Sequence, residues 1–350
     1  MIQSMKGRGA STNPVNRFHN LISVMDETEY EMVQAPCTEV YEQSAKTLIS
    51  KNTSPDVPHE QSVNPYAGCE HGCVYCYARP THAYHDLSPG LDFETKLIAK
   101  TNAAELLEKE ISAPSYKCKP ILLGANTDPY QPIEKNYELT RQLLELCLKK
   151  NQPVSLITKS TLIERDLDVL SELASKGLSS VRMSITTLDN DLKRKLEPRT
   201  ASGHSRLKVL SKLVAEGVPT GVLVAPVIPS INDHEIEGIL SASKSAGAMS
   251  ANYILLRLPR EVKDMFQEWL TLHYPQRAKH VLSLIEQSRG GRLYNPSFNQ
   301  RMTGEGVFAE MIAKRFVNAC RREGVKIDTS EKLNCSLFSV HASNHQMSLF

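Results

Sequence analysis

A chain of 350 residues with 41% hydrophobic and 23% charged side chains and a net charge of +2 has a globular composition, with room for one barrel-sized domain or two smaller ones. That charge neither demands nor excludes a nucleic-acid partner. The longest apolar run, 222–231, contains Pro226 and Pro229 and is too short to span a bilayer, and the polar residues 1–20 lack the apolar segment of a secretory signal, so a cytoplasmic protein with no membrane partner is expected.

Residues 1 to about 35 show little periodicity and read as an extended arm. It carries Lys6-Gly7-Arg8-Gly9-Ala10, Asn13-Pro14 and Asn16-Arg17-Phe18, and its basic residues are most simply solvated. Residues 40–48 fit a short strand or a short helix, and 51–58, rich in Ser, Pro and Asn, form a linker. Ser62-Val63-Asn64-Pro65-Tyr66 opens a repeating order as its first strand. A cysteine-rich loop follows, then a short helical stretch at 77–84, an extended segment at 93–99 and a helix at 103–111. Strand 120–124 precedes an amphipathic helix at 137–150, with Leu139, Leu143, Leu144, Cys147 and Leu148 on one face. Strand 154–158, helix 165–176, strand 180–186, helix 205–216, strand 220–225, helix 233–246 and strand 251–256 continue the alternation. Gly177, Gly217 and Gly247 follow three of these helices, the usual place for a helix stop. Beyond Pro259 the pattern turns helical, at 261–272, 277–289 and 305–323, and ends in a tail of about fifteen residues.

Six strands joined by helical crossovers imply a parallel sheet with right-handed connections. Continuous apolar strands such as Val222-Leu223-Val224-Ala225 imply burial on both faces. The expected fold class is therefore α/β, a partial (β/α)6 TIM-type barrel with an N-terminal arm and a helical C-terminal extension. Its divisions are the arm and linker 1–58, the core 59–260, and the extension and tail 261–350. Such a barrel carries its chemistry at the carboxyl ends of its strands, where the cysteine loop falls. Neither a G-x-G-x-x-G nor a Walker loop is present.

Eight cysteines are few for a disulfide scaffold of this length, and three lie within Cys69-Glu70-His71-Gly72-Cys73-Val74-Tyr75-Cys76. A four-iron cluster takes one soft thiolate on each iron it anchors, so three thiolates leave one iron open to a cofactor. Gly68 and Gly72 allow the loop to wrap closely around such an object.

The spacing C-x3-C-x2-C with Tyr75 before the last cysteine resembles the signature of radical S-adenosylmethionine (radical SAM) enzymes. Over residues 60–260 the chain is similar to the spore photoproduct lyase and DNA-repair-photolyase-like branch. The likeness rests on Asn126-Thr127-Asp128, Thr158-Lys159, Ser184-Ile185, Glu197-Pro198-Arg199-Thr200 and Ala225-Pro226-Val227. The arm and the long extension look more like an uncharacterised subfamily. The resemblance implies a 4Fe-4S cluster on Cys69, Cys73 and Cys76 that cleaves S-adenosylmethionine to a 5′-deoxyadenosyl radical, which abstracts hydrogen from a substrate. It implies a reductant such as flavodoxin or ferredoxin. Lys159 then pairs with the methionine carboxylate, Ser184 with the ribose or carboxylate, and Asn126 and Asp128 with the amino group. Tyr75 stacks near adenine or fills space, and Ala225, Pro226 and Val227 give adenine backbone and apolar contacts. One departure stands out: where spore photoproduct lyases carry a hydrogen-donor cysteine, this chain has Asn126, and Cys118 falls at the opposite end of its strand.

Other readings compete. A structural zinc site would take a fourth ligand from His71, His82 or His85, although the spacing is unusual for zinc. An iron–sulfur electron carrier would usually show four cysteines and need no barrel. Cys37, Cys118, Cys147, Cys320 and Cys335 are scattered and read as small hydrophobes. Arg289-Gly290-Gly291-Arg292-Leu293-Tyr294, with Arg301, Arg315, Arg321 and Arg322, is either a solvated surface or a phosphate track with Tyr294 or Phe298 stacking on a base, so nucleic acid remains a possible partner.

Overall fold

Residues 5–18, 37–327 and 332–340 of a computed structural model are described; residues 1–4 and 19–36 of the expected arm and 341–350 of the tail lie outside them. The strands, in chain order, are β1 (Glu39–Gln43), β2 (Ile49–Lys51), β3 (Gln61–Val63), β4 (Tyr66–Ala67), β5 (Lys96–Lys100), β6 (Ile121–Leu123), β7 (Val154–Thr158), β8 (Ser179–Ser184), β9 (Thr220–Val227), β10 (Ser250–Leu255) and β11 (Lys326–Ile327). One sheet has the order β11-β10-β9-β8-β7-β6-β3-β2. All its neighbours are parallel except β2 against β3. Its inner six strands, β3 and β6 to β10, are the expected partial barrel, open rather than closed. No helix among the described residues is long and apolar enough to cross a membrane.

The differences from expectation have local causes. The first strand is broken at Pro65, which has no N–H to donate. The chain leaves the large sheet after β3, and β4 joins a second sheet of order β1-β5-β4. Residues 40–48 divide between β1 and the approach to β2, and the segment at 93–99 begins in the short helix Asp92–Thr95 before becoming β5. The helix expected at 137–150 starts earlier, at Glu134–Tyr137, and restarts as Leu139–Lys150 because Glu138 takes a left-handed φ of 51°. The helix Asn190–Leu196 was not foreseen; Asp189 caps it by accepting from the Asp191 amide.

The main core forms where the strands meet their covering helices, with Val63, Leu123, Leu156, Val181, Val222 and Val224 against Leu143, Leu170, Leu210 and Leu240. The helix Gly306–Glu323 of the C-terminal extension puts Ile312, Phe316 and Cys320 into this same core. The Phe316 ring lies 4.7 Å from that of Tyr253 on β10. This helix then feeds β11, parallel to β10, so it repeats the crossover pattern of the barrel. The helices Val262–His273 and Ala278–Gln287 build a second core, in which Phe266, Trp269 and Ile285 pack with Cys73, Val74 and Tyr75. The extension is thus the wall behind the cysteine loop.

Phe316→Ala is expected to cost about 3–5 kcal/mol, as large-to-small changes in a packed core do. Denaturant unfolding followed by far-UV circular dichroism and by the fluorescence of Trp269, the single tryptophan, should show both signals moving together to lower denaturant; an early transition in one signal alone would mean the extension unfolds separately.

Candidate active site

The cysteine loop has little regular structure, so its shape is set by side chains around it. Arg79, fully buried, donates from Nε to the Cys73 carbonyl at 2.9 Å and from Nη1 to the carbonyls of Pro89 (3.1 Å) and Gly90 (2.9 Å). Its Nη2 pairs with Glu94 Oε1 at 2.5 Å. Glu94 is also fully buried, and it accepts from the backbone N–H groups of Gly9 (3.0 Å) and Ala10 (2.8 Å). Arg8 donates to the Glu94 carbonyl at 2.9 Å. Residues 8–10 of the arm are therefore not solvated: Arg8 and Ala10 are buried, and Gly9 lies against the loop. The fit leaves no room for a side chain, because a Cβ on Gly9 would fall 1.8 Å from the Gly72 carbonyl oxygen. Gly72 itself sits between two of the cysteines at a φ of 68°.

On the other side of the loop, Glu197 is fully buried and accepts from Tyr75, from Arg206 and, at 2.5 Å, from Thr186 Oγ1. Burial opposes its ionisation, but Arg206 and Lys159 with the hydrogen bonds outweigh this and hold it at about 2. A third carboxylate, Asp128, accepts from Thr158 Oγ1 (2.7 Å), from the Lys159 N–H (2.8 Å) and from the Tyr130 N–H (2.9 Å). His71 Nδ1 lies 3.4 Å from it. Burial opposes its ionisation too, and His71 and these donors overcome it, leaving the carboxyl at about 2.

The three cysteines face one cleft at the carboxyl ends of the strands, with a cavity volume of about 180 Å³. Tyr75, Asn126, Asp128, Lys159, Ser184, Ala225 and Pro226 also line it. Val227 does not: it pairs with Leu255 on β10 and packs in the main core. Asn126 donates from its amide to Thr81 Oγ1 at 3.3 Å, and Ser184 Oγ lies 3.4 Å from the Ala225 carbonyl. Burial pushes the Cys69 thiol up and raises Cys73 to about 12. Such thiols ionise readily only onto a metal. No group of three His, Cys, Asp or Glu side chains among the described residues is arranged to hold a single metal ion. His82, offered above as a fourth zinc ligand, is buried outside the cleft against Phe93.

Several lining or supporting residues carried no sequence signal of their own: Tyr77 and Arg257 in the cleft, and Arg79, Glu94, Thr186 and Arg206 behind it. Glu197 entered the sequence reading only within the stretch Glu197-Pro198-Arg199-Thr200 that carries the family likeness. Among the C-terminal arginines, Arg315 pairs with Glu237 at 2.7 Å, Arg301 with Asp56 at 2.5 Å, and Arg289 is buried on the carbonyls of Leu255, Leu256 and Gln300. Cys118 is absent from the cleft and lies 3.7 Å from Gln152 Oε1.

Residues 63–242 match the sequence profile of the family described as the Radical SAM superfamily. An uncharacterized protein of Mycobacterium tuberculosis (strain ATCC 25618 / H37Rv) is 36% identical over 260 residues, covering 74% of this chain and 75% of its own. An uncharacterized protein of Methanocaldococcus jannaschii is 28% identical over 240 residues, 68% of this chain and 85% of its own. Among solved structures, spore photoproduct lyase complexed with dinucleoside spore photoproduct superposes with a TM-score of 0.58 at 19% identity, over 81% of this chain and 78% of that one. A variant of that lyase with bound AdoMet and dinucleoside spore photoproduct gives 0.56 at 18% identity, over the same shares of the two chains. At these identities the likeness is one of fold.

Two outcomes follow from the supports of the loop. Gly9→Ala is expected to lift the arm, costing about 1–3 kcal/mol as overpacking does, and to make the bond after Arg8 rapidly cleavable by trypsin; an arm that stays protected would contradict the close contact. Asp128 has its folded value of about 2 below its ordinary 3.8, so its contribution is full above pH 4 and is lost as pH falls towards 2. That contribution is about 2 kcal/mol. Urea unfolding between pH 5 and pH 2.5 should therefore be less acid-sensitive in Asp128→Asn than in the wild type.

Proposed function

The chain belongs to the radical SAM superfamily and is an enzyme, and we propose that Cys69, Cys73 and Cys76 hold a 4Fe-4S cluster at which S-adenosylmethionine is reductively cleaved. The observation that carries this reading is the convergence of the three thiols on one cleft whose other wall is made by the carboxyl ends of β6 to β10. Held by Cys69, Cys73 and Cys76, such a cluster would supply the electron that cleaves the sulfonium of S-adenosylmethionine, yielding methionine and a 5′-deoxyadenosyl group able to take a hydrogen atom from the substrate. The electron comes from a reductant such as flavodoxin or ferredoxin, in a cytoplasmic setting.

The chain's own residues bind and orient. Lys159 makes no ion pair among the described residues and lines the cleft, which suits the methionine carboxylate. Asn126 and Ser184 offer an amide and a hydroxyl to the polar groups of the same cosubstrate. Asp128, already engaged by four partners, acts by fixing the Lys159 backbone rather than by direct contact. Ala225 and Pro226 give the adenine an apolar wall, with Val227 behind them in the core. Tyr75 is held by its hydroxyl on Glu197, so its ring borders the cleft in one orientation. Ile157, Leu223 and Ile254 make the rest of the lining apolar, which keeps water from a reactive carbon centre.

The substrate is not the spore photoproduct by the thiol route, because no cysteine besides the three lines the cleft and Asn126 cannot donate a hydrogen atom. Arg289, Arg301 and Arg315 are engaged by partners within the protein, which removes three of the six arginines of the expected phosphate track and favours a small substrate.

Anaerobically reconstituted protein is expected to hold about four irons and, on reduction, to convert S-adenosylmethionine to 5′-deoxyadenosine. Cys73→Ala should lose the iron and its absorption while keeping the far-UV spectrum. A fully loaded protein that never cleaves S-adenosylmethionine would refute the proposal.

A further inference from the structure

Arg257 is set apart from the arginines around it. Arg79 pairs with Glu94 and Arg206 with Glu197, while Arg289 is spent on three carbonyls. Arg257 lines the cleft just after β10 and has no carboxylate within ion-pair distance among the described residues. Its Nε is buried without a partner, and its Nη1 reaches only the sulfur of Met302, at 3.6 Å. Buried donors are nearly always satisfied, so an empty one in a cleft points to a group that arrives from outside.

The setting of this side chain is also specific. Its guanidinium carbon lies 5.0 Å from the ring centre of Tyr77. Tyr77 comes from the loop after the first barrel strand and Arg257 from the end of the last, so the pair meets across the side on which the barrel does not close. Tyr77 is fixed there by donating its hydroxyl to the Ala125 carbonyl. A guanidinium held by its face against an aromatic ring keeps its in-plane edge free, and that edge matches the two oxygens of a carboxylate or phosphate.

We propose that Arg257 binds an anionic group, carboxylate or phosphate, of the enzyme's substrate at the open edge of the cleft. This rests on the radical SAM reading, which assigns the cleft's other unpaired cation, Lys159 on the β7 side, to the methionine carboxylate and leaves Arg257 for a second anion. Leu223, Ile254 and Leu255 line the same cleft. The substrate is therefore a small amphipathic molecule, with its anion at the rim and an apolar part directed inward.

The test uses reconstituted protein loaded with S-adenosylmethionine and titrated calorimetrically with inorganic phosphate and, separately, acetate. Wild-type protein should bind at least one probe, Arg257→Gln should weaken it about tenfold, and Arg257→Lys should fall between. Loss confined to phosphate marks a phosphorylated substrate, and loss confined to acetate a carboxylate. S-adenosylmethionine affinity, titrated in parallel, should stay within about twofold of wild type in both variants, far less than a lost charged contact would change it. Equal probe binding by wild type and both variants, binding of neither probe, or a parallel drop in S-adenosylmethionine affinity would each overturn the assignment. If the wild type binds a probe through Arg257 yet forms no 5′-deoxyadenosine on reduction, the radical reading falls while the anion site stands.

Discussion

Two fully buried carboxylates, Glu94 and Glu197, grip the cysteine loop from opposite sides, and the cleft depends on that grip. Burying a carboxylate costs several kcal/mol unless a cation and further donors meet it. Each of these has its own buried arginine, Arg79 or Arg206. Each also has donors that belong to other segments: the arm for Glu94, and Tyr75 and Thr186 for Glu197. The strong cost of an incomplete set makes the arrangement all-or-none, which is what a loop with little regular structure needs if three thiols are to face one point.

That dependence explains what was legible in the sequence. Strand and helix order could be read because periodicity and glycine stops are local signals, and the six barrel strands appear where alternating apolar runs placed them. The cysteine spacing was equally local, and the three thiols share one cleft. The supports were not legible because each joins residues far apart in the chain. Glu94 looks like a solvent-facing residue of a short segment until Gly9, Ala10 and Arg79 are placed on it. Gly9 carries no local reason to be glycine, since the atom that excludes a side chain belongs to Gly72. Pro65 shows the intermediate case: its effect on the strand is local, but the second sheet that takes up the chain is formed with β1 and β5.

The C-terminal extension illustrates how composition misleads about role. Its arginines suggest a phosphate-binding surface, yet Arg289 ties residues 288–305 to the end of β10, and Arg315 anchors the helix Gly306–Glu323 to Asp233 and Glu237. A guanidinium offers five donors, so one side chain can hold several carbonyls of an irregular segment where a helix ladder is absent. The charges of Arg289, Arg301 and Arg315 are used for assembly, and the apolar faces of the extension complete the core and the wall behind Cys73.

The charges left unspent define the chemistry that remains. Burial, with Glu197 beside it, pushes Cys73 up to about 12, while Lys159 acts to lower both Cys73 and Glu197. Lys159 is thus placed to stabilise negative charge at the metal-binding side of the cleft as well as on a carboxylate brought by a cosubstrate. A neutral residue there would leave a thiolate facing Glu197 with less compensation, so the lysine links the condition for holding the cluster to the condition for binding beside it. Arg257 lies over Tyr77, and in the proposed reading its charge serves the substrate. On this proposal the cleft separates its two cations by function: one belongs to the radical-generating side, and the other to whatever molecule the radical reaches.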